Sequence, residues 1–123
     1  MLVNSDIIEE LLDDAGYSRA EKAKQYTKER KIRVTKIIYD DKNNFELQGK
    51  AYGNDIYDTY VDVKNGEIQS IECTCPDYYN TYGVCKHSLA TILTFNNMQA
   101  EDMLHKNKKE NIIAKKDKYS CFN

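Results

Sequence analysis

Cys73, Cys75, Cys85 and His87 fall as Cys-x-Cys, nine residues, then Cys-x-His, in a chain with only four cysteines and two histidines. Three soft thiolates and one imidazole in two tight pairs, with a loop between them long enough to turn back, form the tetrahedral ligand set that suits a zinc ion. Taken singly, a cysteine is an ordinary buried hydrophobe, and a histidine near a helix start is ordinarily a surface or satisfied core residue. The conjunction of all four is what points to a metal. A disulfide is the competing use of such cysteines, but Cys-x-Cys neighbours bridge each other poorly and an intracellular setting disfavours bridges. Four protein ligands also fill a tetrahedral shell, so the expected ion is one structural Zn2+ with no open position for an activated water.

Two elements must bring the pairs together. Cys73-Thr74-Cys75-Pro76-Asp77 reads as a strand running into a turn, with both sulfurs on its concave side. The return pair follows Gly83 and precedes Ser88 to Leu93, where Leu89, Ile92 and Leu93 recur at helical spacing, so Cys85 and His87 open a helix. The positive end of that helix favours thiolate over thiol at Cys85.

Upstream, Ser5 and Ser18 read as N-caps of two helices. The first carries Ile7, Ile8, Leu11 and Leu12 and ends at Gly16; the second has Glu21 at the capping-box position and runs to about Lys31. The period then changes to that of strands over Ile32–Tyr39, Phe45–Tyr52, Tyr57–Val63 and Ile68–Ile71. Turns fall at Asp41–Asn44, Gly53-Asn54 and Asn65-Gly66. The predicted fold is α+β: a small antiparallel four-stranded meander packed with a C-terminal helix through a Cys3His zinc site and preceded by N-terminal helices. One sheet face holds Phe45, Leu47, Val61 and Val63 against Leu89, Ile92 and Leu93. A core of this size is limited, and small domains draw part of their stability from a metal.

The pattern Ile71-Glu72-Cys73-Thr74-Cys75-Pro76-Asp77, with Gly83-Val84-Cys85-Lys86-His87-Ser88-Leu89-Ala90-Thr91-Ile92-Leu93 after it, resembles the SWIM zinc finger of Swi/Snf ATPases and MuDR transposases. Ala23 to Tyr39 and Gly49 to Tyr57 are similar to what precedes that finger at the N-terminus of bacterial Swi/Snf-type helicases. The resemblance spans about residues 20–97. It implies an accessory module that binds DNA or another protein subunit, in a bacterial, cytoplasmic protein. Any ATPase or helicase activity would lie in a motor domain, and no motor motif occurs in this chain.

Composition bounds the rest. At 123 residues, 41% hydrophobic and 31% charged, the chain has one domain's worth of ordinary globular sequence. The expected organisation is residues 1–30 as a helical segment, acidic then basic, 31–97 as meander plus finger, and 98–123 as a Lys-rich helix or tail. No basic start with an apolar run and no bilayer-length apolar stretch occurs, so a cytoplasmic protein that does not cross a membrane is expected. The chain has no phosphate-cradling Gly-Lys-Ser/Thr loop, nucleophile elbow or zincin His-Glu pair, which argues against an enzyme, and no small-molecule substrate suggests itself.

The net charge of −2 conceals a segregation. Asp6, Glu9, Glu10, Asp13 and Asp14 are followed by a basic run from Arg19 to Lys36 that includes Lys24, Lys28 and Arg30. That run, with Lys86 and the loop tyrosines Tyr78 and Tyr79, forms a candidate surface for nucleic acid or an acidic partner. A solvated helix face is the equal alternative for the charges, and shielding of the metal is the default for the rings. A protein-interaction adaptor and a zinc-thiolate redox switch are the other functional readings. Cys121 reads as a free thiol and His105 as a solvent-exposed side chain.

Overall fold

The computed structural model describes residues 2–76, 85–102 and 112–114. The expected Tyr78 and Tyr79 contacts, the turn at Asp77, and the readings of Cys121 and His105 lie outside the described residues.

Four strands form the predicted meander: β1 (Ile32–Asp41), β2 (Asn44–Tyr52), β3 (Ile56–Lys64) and β4 (Glu67–Cys73). Neighbours pair antiparallel throughout, as short hairpin connections require. Asn65 and Gly66 both take positive φ, 55° and 79°, the primed turn geometry that suits the twist of the flanking strands. At the β1–β2 turn, Asp41 accepts hydrogen bonds from the Asn43 N–H (2.8 Å) and the Asn44 side chain (2.9 Å).

Three helices complete the α+β fold: α1 (Ser5–Ala15), α2 (Tyr17–Lys28) and α3 (Lys86–Asp102). Beyond α3, the short strand β5 (Ile112–Ala114) adds in parallel to the outer edge of β1 at Ile37–Tyr39. The sheet order is β4-β3-β2-β1-β5.

The helix caps differ from the sequence reading. Asn4, not Ser5, caps α1, its side chain accepting from the Asp6 N–H at 2.7 Å. Ser18 does not cap α2, which begins at Tyr17 directly after Gly16, makes no side-chain cap bond and stops at Lys28. One residue, Gly16, serves both helices, and this leaves no room for the expected Ser18–Glu21 box.

Strand alternation sends Phe45, Leu47, Val61 and Val63 to one face, where they meet Ile92 and Phe95 of α3. Leu89 does not join them. It lies one turn earlier in a second cluster with Ala90, Ala15, Ala23, Ile32 and Ala51, and Leu93 packs at the margin of that cluster. One side of α3 therefore covers the sheet while another receives α1 and α2. The small side chains Ala20 and Ala23 let α2 approach closely, and Thr27 of α2 donates to the Ala90 carbonyl of α3 at 3.2 Å. Asn96 clasps the backbone of Val3 at both ends of its amide, accepting from Val3 N–H at 3.0 Å and donating to Val3 C=O at 2.9 Å.

A buried polar link joins sheet and helix beneath the site. The Thr59 and Thr91 hydroxyls lie 2.8 Å apart, and Thr91 donates to the His87 carbonyl at 2.8 Å. Gly49 makes room for this pair, because a Cβ there would sit 2.9 Å from Thr59 Oγ1 and 3.0 Å from the Arg33 carbonyl oxygen.

Candidate metal centre

β4 ends at Cys73, which pairs with Thr59 of β3. The next residue, Thr74, is clipped to β3 from both sides: its N–H donates to the Asp58 carbonyl at 3.1 Å, and its hydroxyl accepts from the Asp58 N–H at 2.9 Å. Because alternate residues of an extended chain face the same way, fixing Thr74 outward turns Cys73 and Cys75 inward together. Thr74 is exposed, whereas both cysteines are buried.

The second pair is held by the start of α3. Cys85 stands directly before the first helical residue, Lys86, and forms a reciprocal cap with Ser88. The Ser88 N–H donates to Cys85 Sγ at 3.4 Å, while Ser88 Oγ accepts from the Cys85 N–H at 3.2 Å. This is the capping-box exchange with sulfur in place of the usual oxygen. It aims the sulfur back over the first turn, where His87 also turns inward.

Cys73, Cys75, Cys85 and His87 thus converge, all buried, with one ligand atom from each lying within 4.8 Å of every other. The imidazole presents Nδ1 to the sulfurs, 3.9 Å from Cys73 Sγ. A tetrahedron with bonds of about 2.3 Å to sulfur has edges of about 3.8 Å, so the quartet needs only a slight contraction to hold an ion. The residues fit a metal on a second count. Cys73, Cys75 and Cys85 form no disulfide, and with His87 they bring four buried atoms of metal-binding type to one place.

Electrostatics already favour a thiolate. The Cys85 sulfur accepts from the Cys73 thiol, and with further hydrogen bonds from His87 and Ser88 its pKa falls to about 3 despite burial. Cys73, as donor to Cys85 and itself buried, is driven strongly upward. The largest cause of the downward shift at Cys85 is the hydrogen bond from the Cys73 thiol, which adds to the effect expected of the helix end.

Among the described residues, the aromatic groups around the site come from elements that the motif does not include. Tyr57 of β3 lies over the His87 ring with centroids 4.9 Å apart, and Tyr26 of α2 meets it edge-on at 5.2 Å. Nε2 of His87 is buried and, among the described residues, has no hydrogen-bond partner. Gly53 fits between these groups, since a Cβ there would fall 2.6 Å from Tyr26 Oη and 3.8 Å from His87 Nε2. Sequence spacing could have flagged Ser88, three residues after Cys85, as a capping partner. Nothing local flags Tyr26, which reaches the site only through the docking of α2 on α3.

Of the expected basic contact residues, Lys86 stands between Cys85 and His87, whereas Arg19, Lys24, Lys28 and Arg30 belong to α2 and the turn after it. Lys24 and Lys28 share the exposed face of α2, with Glu21 3.6 Å from Lys24. Arg19 is half-buried on the same helix, and Arg30 is exposed in the turn after it. Lys86 is half-buried at the start of α3. Among the described residues, no helix is long and apolar enough to cross a membrane. Comparison of the chain with protein-family models, with curated proteins and with solved structures finds no match.

Proposed function

We propose that this chain is a SWIM-type zinc module in which one structural zinc fastens the end of β4 to the start of α3, and that it serves as a non-catalytic accessory domain binding nucleic acid. The observation that carries the reading is the convergence of four buried ligand atoms, three sulfurs and one nitrogen, within 4.8 Å. Sulfur-rich sets of this kind select zinc over harder cations, and an ion held by four protein ligands stabilises rather than reacts.

The chain's own residues supply the remainder of the metal's surroundings. Ser88 and Cys73 hold Cys85 in its acceptor role, the Thr74 clip keeps Cys73 and Cys75 facing inward, and Tyr26 and Tyr57 exclude water from His87. The nucleic-acid part of the reading is supported by the basic run that α2 and β1 carry, with Lys24 and Lys28 side by side on an open helix face. Such a module belongs in the cytoplasm of a bacterial cell, beside a helicase-like partner or domain.

Element-resolved metal analysis of the purified chain beside a Cys73→Ser/Cys85→Ser variant tests the metal: one zinc per chain, lost in the variant, is expected, and no metal in protein made without chelator refutes the ligand set. Retention of a DNA strand that falls steeply with salt and with Arg19, Lys24 and Lys28 neutralised tests the partner. Equal retention by the neutralised variant refutes it.

A further inference from the structure

A groove of about 680 Å³ lies away from the metal, between the end of α2, the first residues of β1 and the later turns of α3. Its floor is apolar, with Ile32, Val34 and Met98, and its rim carries Arg30, Arg33 and the exposed ring of Tyr52. Three consecutive residues, 32 to 34, line it although their side chains alternate across the sheet. The groove therefore runs along the edge of β1 rather than over one face.

Among the described residues that edge is open there. β5 pairs with β1 only at Ile37–Tyr39, and among the described residues no strand pairs with it upstream. The Tyr52 N–H donates to the Lys31 carbonyl at 2.8 Å, so in the antiparallel ladder residues 31 and 33 bond toward β2. By alternation, Ile32 and Val34 aim their N–H and C=O groups outward, into the groove. An unpaired strand edge beside a helix, with an apolar floor for one side chain, is the arrangement that an extended peptide completes by adding a strand.

We propose that this groove binds an extended acidic peptide segment of another protein, paired to the edge of β1 at Ile32–Val34. Its carboxylates meet Arg30 and Arg33, and an apolar side chain rests on Ile32, Val34 and Met98. Charge selects the occupant. The chain's own residues 103–111 carry Lys106, Lys108 and Lys109 against Glu110 alone, a net charge of the same sign as the two arginines, so the complementary segment is acidic and comes from elsewhere. The outward backbone groups of Ile32 and Val34 favour peptide over nucleic acid, which offers no matching ladder of donors and acceptors. The site is independent of the metal, and its test does not require the zinc reading to hold.

The probe is a display library of random eight-residue peptides panned on the full chain. Panning is repeated on Arg33→Glu and on Arg30→Asn, the latter chosen because Arg30 sits at φ 58°, where Asn is tolerated. Enriched peptides should carry acidic residues around an apolar one and shift the amide resonances of residues 32–34. They should lose about tenfold or more in affinity on Arg33→Glu. Metal content and melting of each variant are recorded, so that loss of binding is separated from loss of fold. Any of four results overturns the proposal: no enrichment, enriched peptides without acidic residues, unchanged affinity for both variants, or displacement of the peptide from residues 32–34 by a tighter-binding oligothymidine strand.

Discussion

Gly53→Ala offers a sharp check on how α2 meets the metal centre. The new Cβ would lie 2.6 Å from Tyr26 Oη, so reaching even the near edge of ordinary contact, 3.4 Å, requires the ring to retreat by about 0.8 Å. Tyr26 cannot retreat freely, because its ring rests on His87 and its backbone carbonyl accepts from the Lys31 N–H at 2.9 Å. Overpacking of this kind costs about 1–3 kcal/mol, and the disturbed ring contact accounts for roughly 0.5–1.5 kcal/mol of that. Urea unfolding of the metal-loaded protein should show the loss with an unchanged slope, and competition with a chelator should show metal affinity falling by up to ~10-fold. The diagnostic step is the double variant. Tyr26→Phe deletes the one atom in conflict and leaves Cζ, at 3.6 Å, in ordinary contact. In that background Gly53→Ala should cost less than about 0.5 kcal/mol, giving a coupling energy of about 1–3 kcal/mol between positions 26 and 53. Additive effects of the two substitutions would refute the contact and, with it, the docking of α2 against His87.

Cys85→Ser should abolish metal binding and lower the melting temperature by several degrees or more, since it removes a ligand while the serine hydroxyl still caps α3; unchanged melting with metal lost would refute a stabilising role for the ion. Ser88→Ala should cost about 1 kcal/mol of stability while retaining metal, read by urea unfolding with element analysis, and no change would show that the reciprocal cap contributes nothing. Acidification should release the metal as protons compete for the thiolates, with dissociation followed by a zinc indicator dye, and retention at pH 4 would contradict a cysteine-rich shell. The Asp41 carboxyl is held below its ordinary value of 3.8, first by the Asn44 side chain and then by the Asn43 N–H. A depressed carboxylate contributes fully above its ordinary pKa and loses that contribution as pH falls through the lower folded value. The stability gap between wild type and Asp41→Ala should therefore be constant above about pH 5 and shrink in acid, and a gap that widens in acid would refute this.

Much of this architecture is legible in local sequence because its signals are local. The meander is spelled by period-two alternation and by Asn65-Gly66, whose types are those a two-residue turn demands. The four ligands are legible for a chemical reason, since few other uses bring three cysteines and a histidine into two tight pairs. What escaped was set at long range. Leu89 and Phe95 both fit the apolar pattern of α3, and only the arrival of α1 and α2 decides that Phe95 meets the sheet while Leu89 meets the helices. The signal of α2 is weak because it packs through Ala20 and Ala23, whose small size matters more than their hydropathy. Asn4 competes with Ser5 as a cap on nearly equal terms, and their propensities cannot separate adjacent residues. β5 is three residues long, and its partner strand is about 75 positions earlier, beyond the reach of any periodicity.

The clasp of Asn96 on Val3, with the seat of Tyr26 beside His87, sets an order of events during synthesis. Ribosomes add about 5–20 residues per second, so α1 and α2 emerge several seconds before the helix they pack on exists. Until then their apolar faces lack Leu89, Ile92 and Phe95, whereas the hairpins can close as they appear. α1 and α2 are thus made before the sheet and seated only once α3 follows it, and a polypeptide interrupted before α3 would leave Ile7, Ile8 and Leu11 without Ile92 and Phe95 to pack with. Quality control acting during synthesis would meet these helices through a surface that the finished molecule hides.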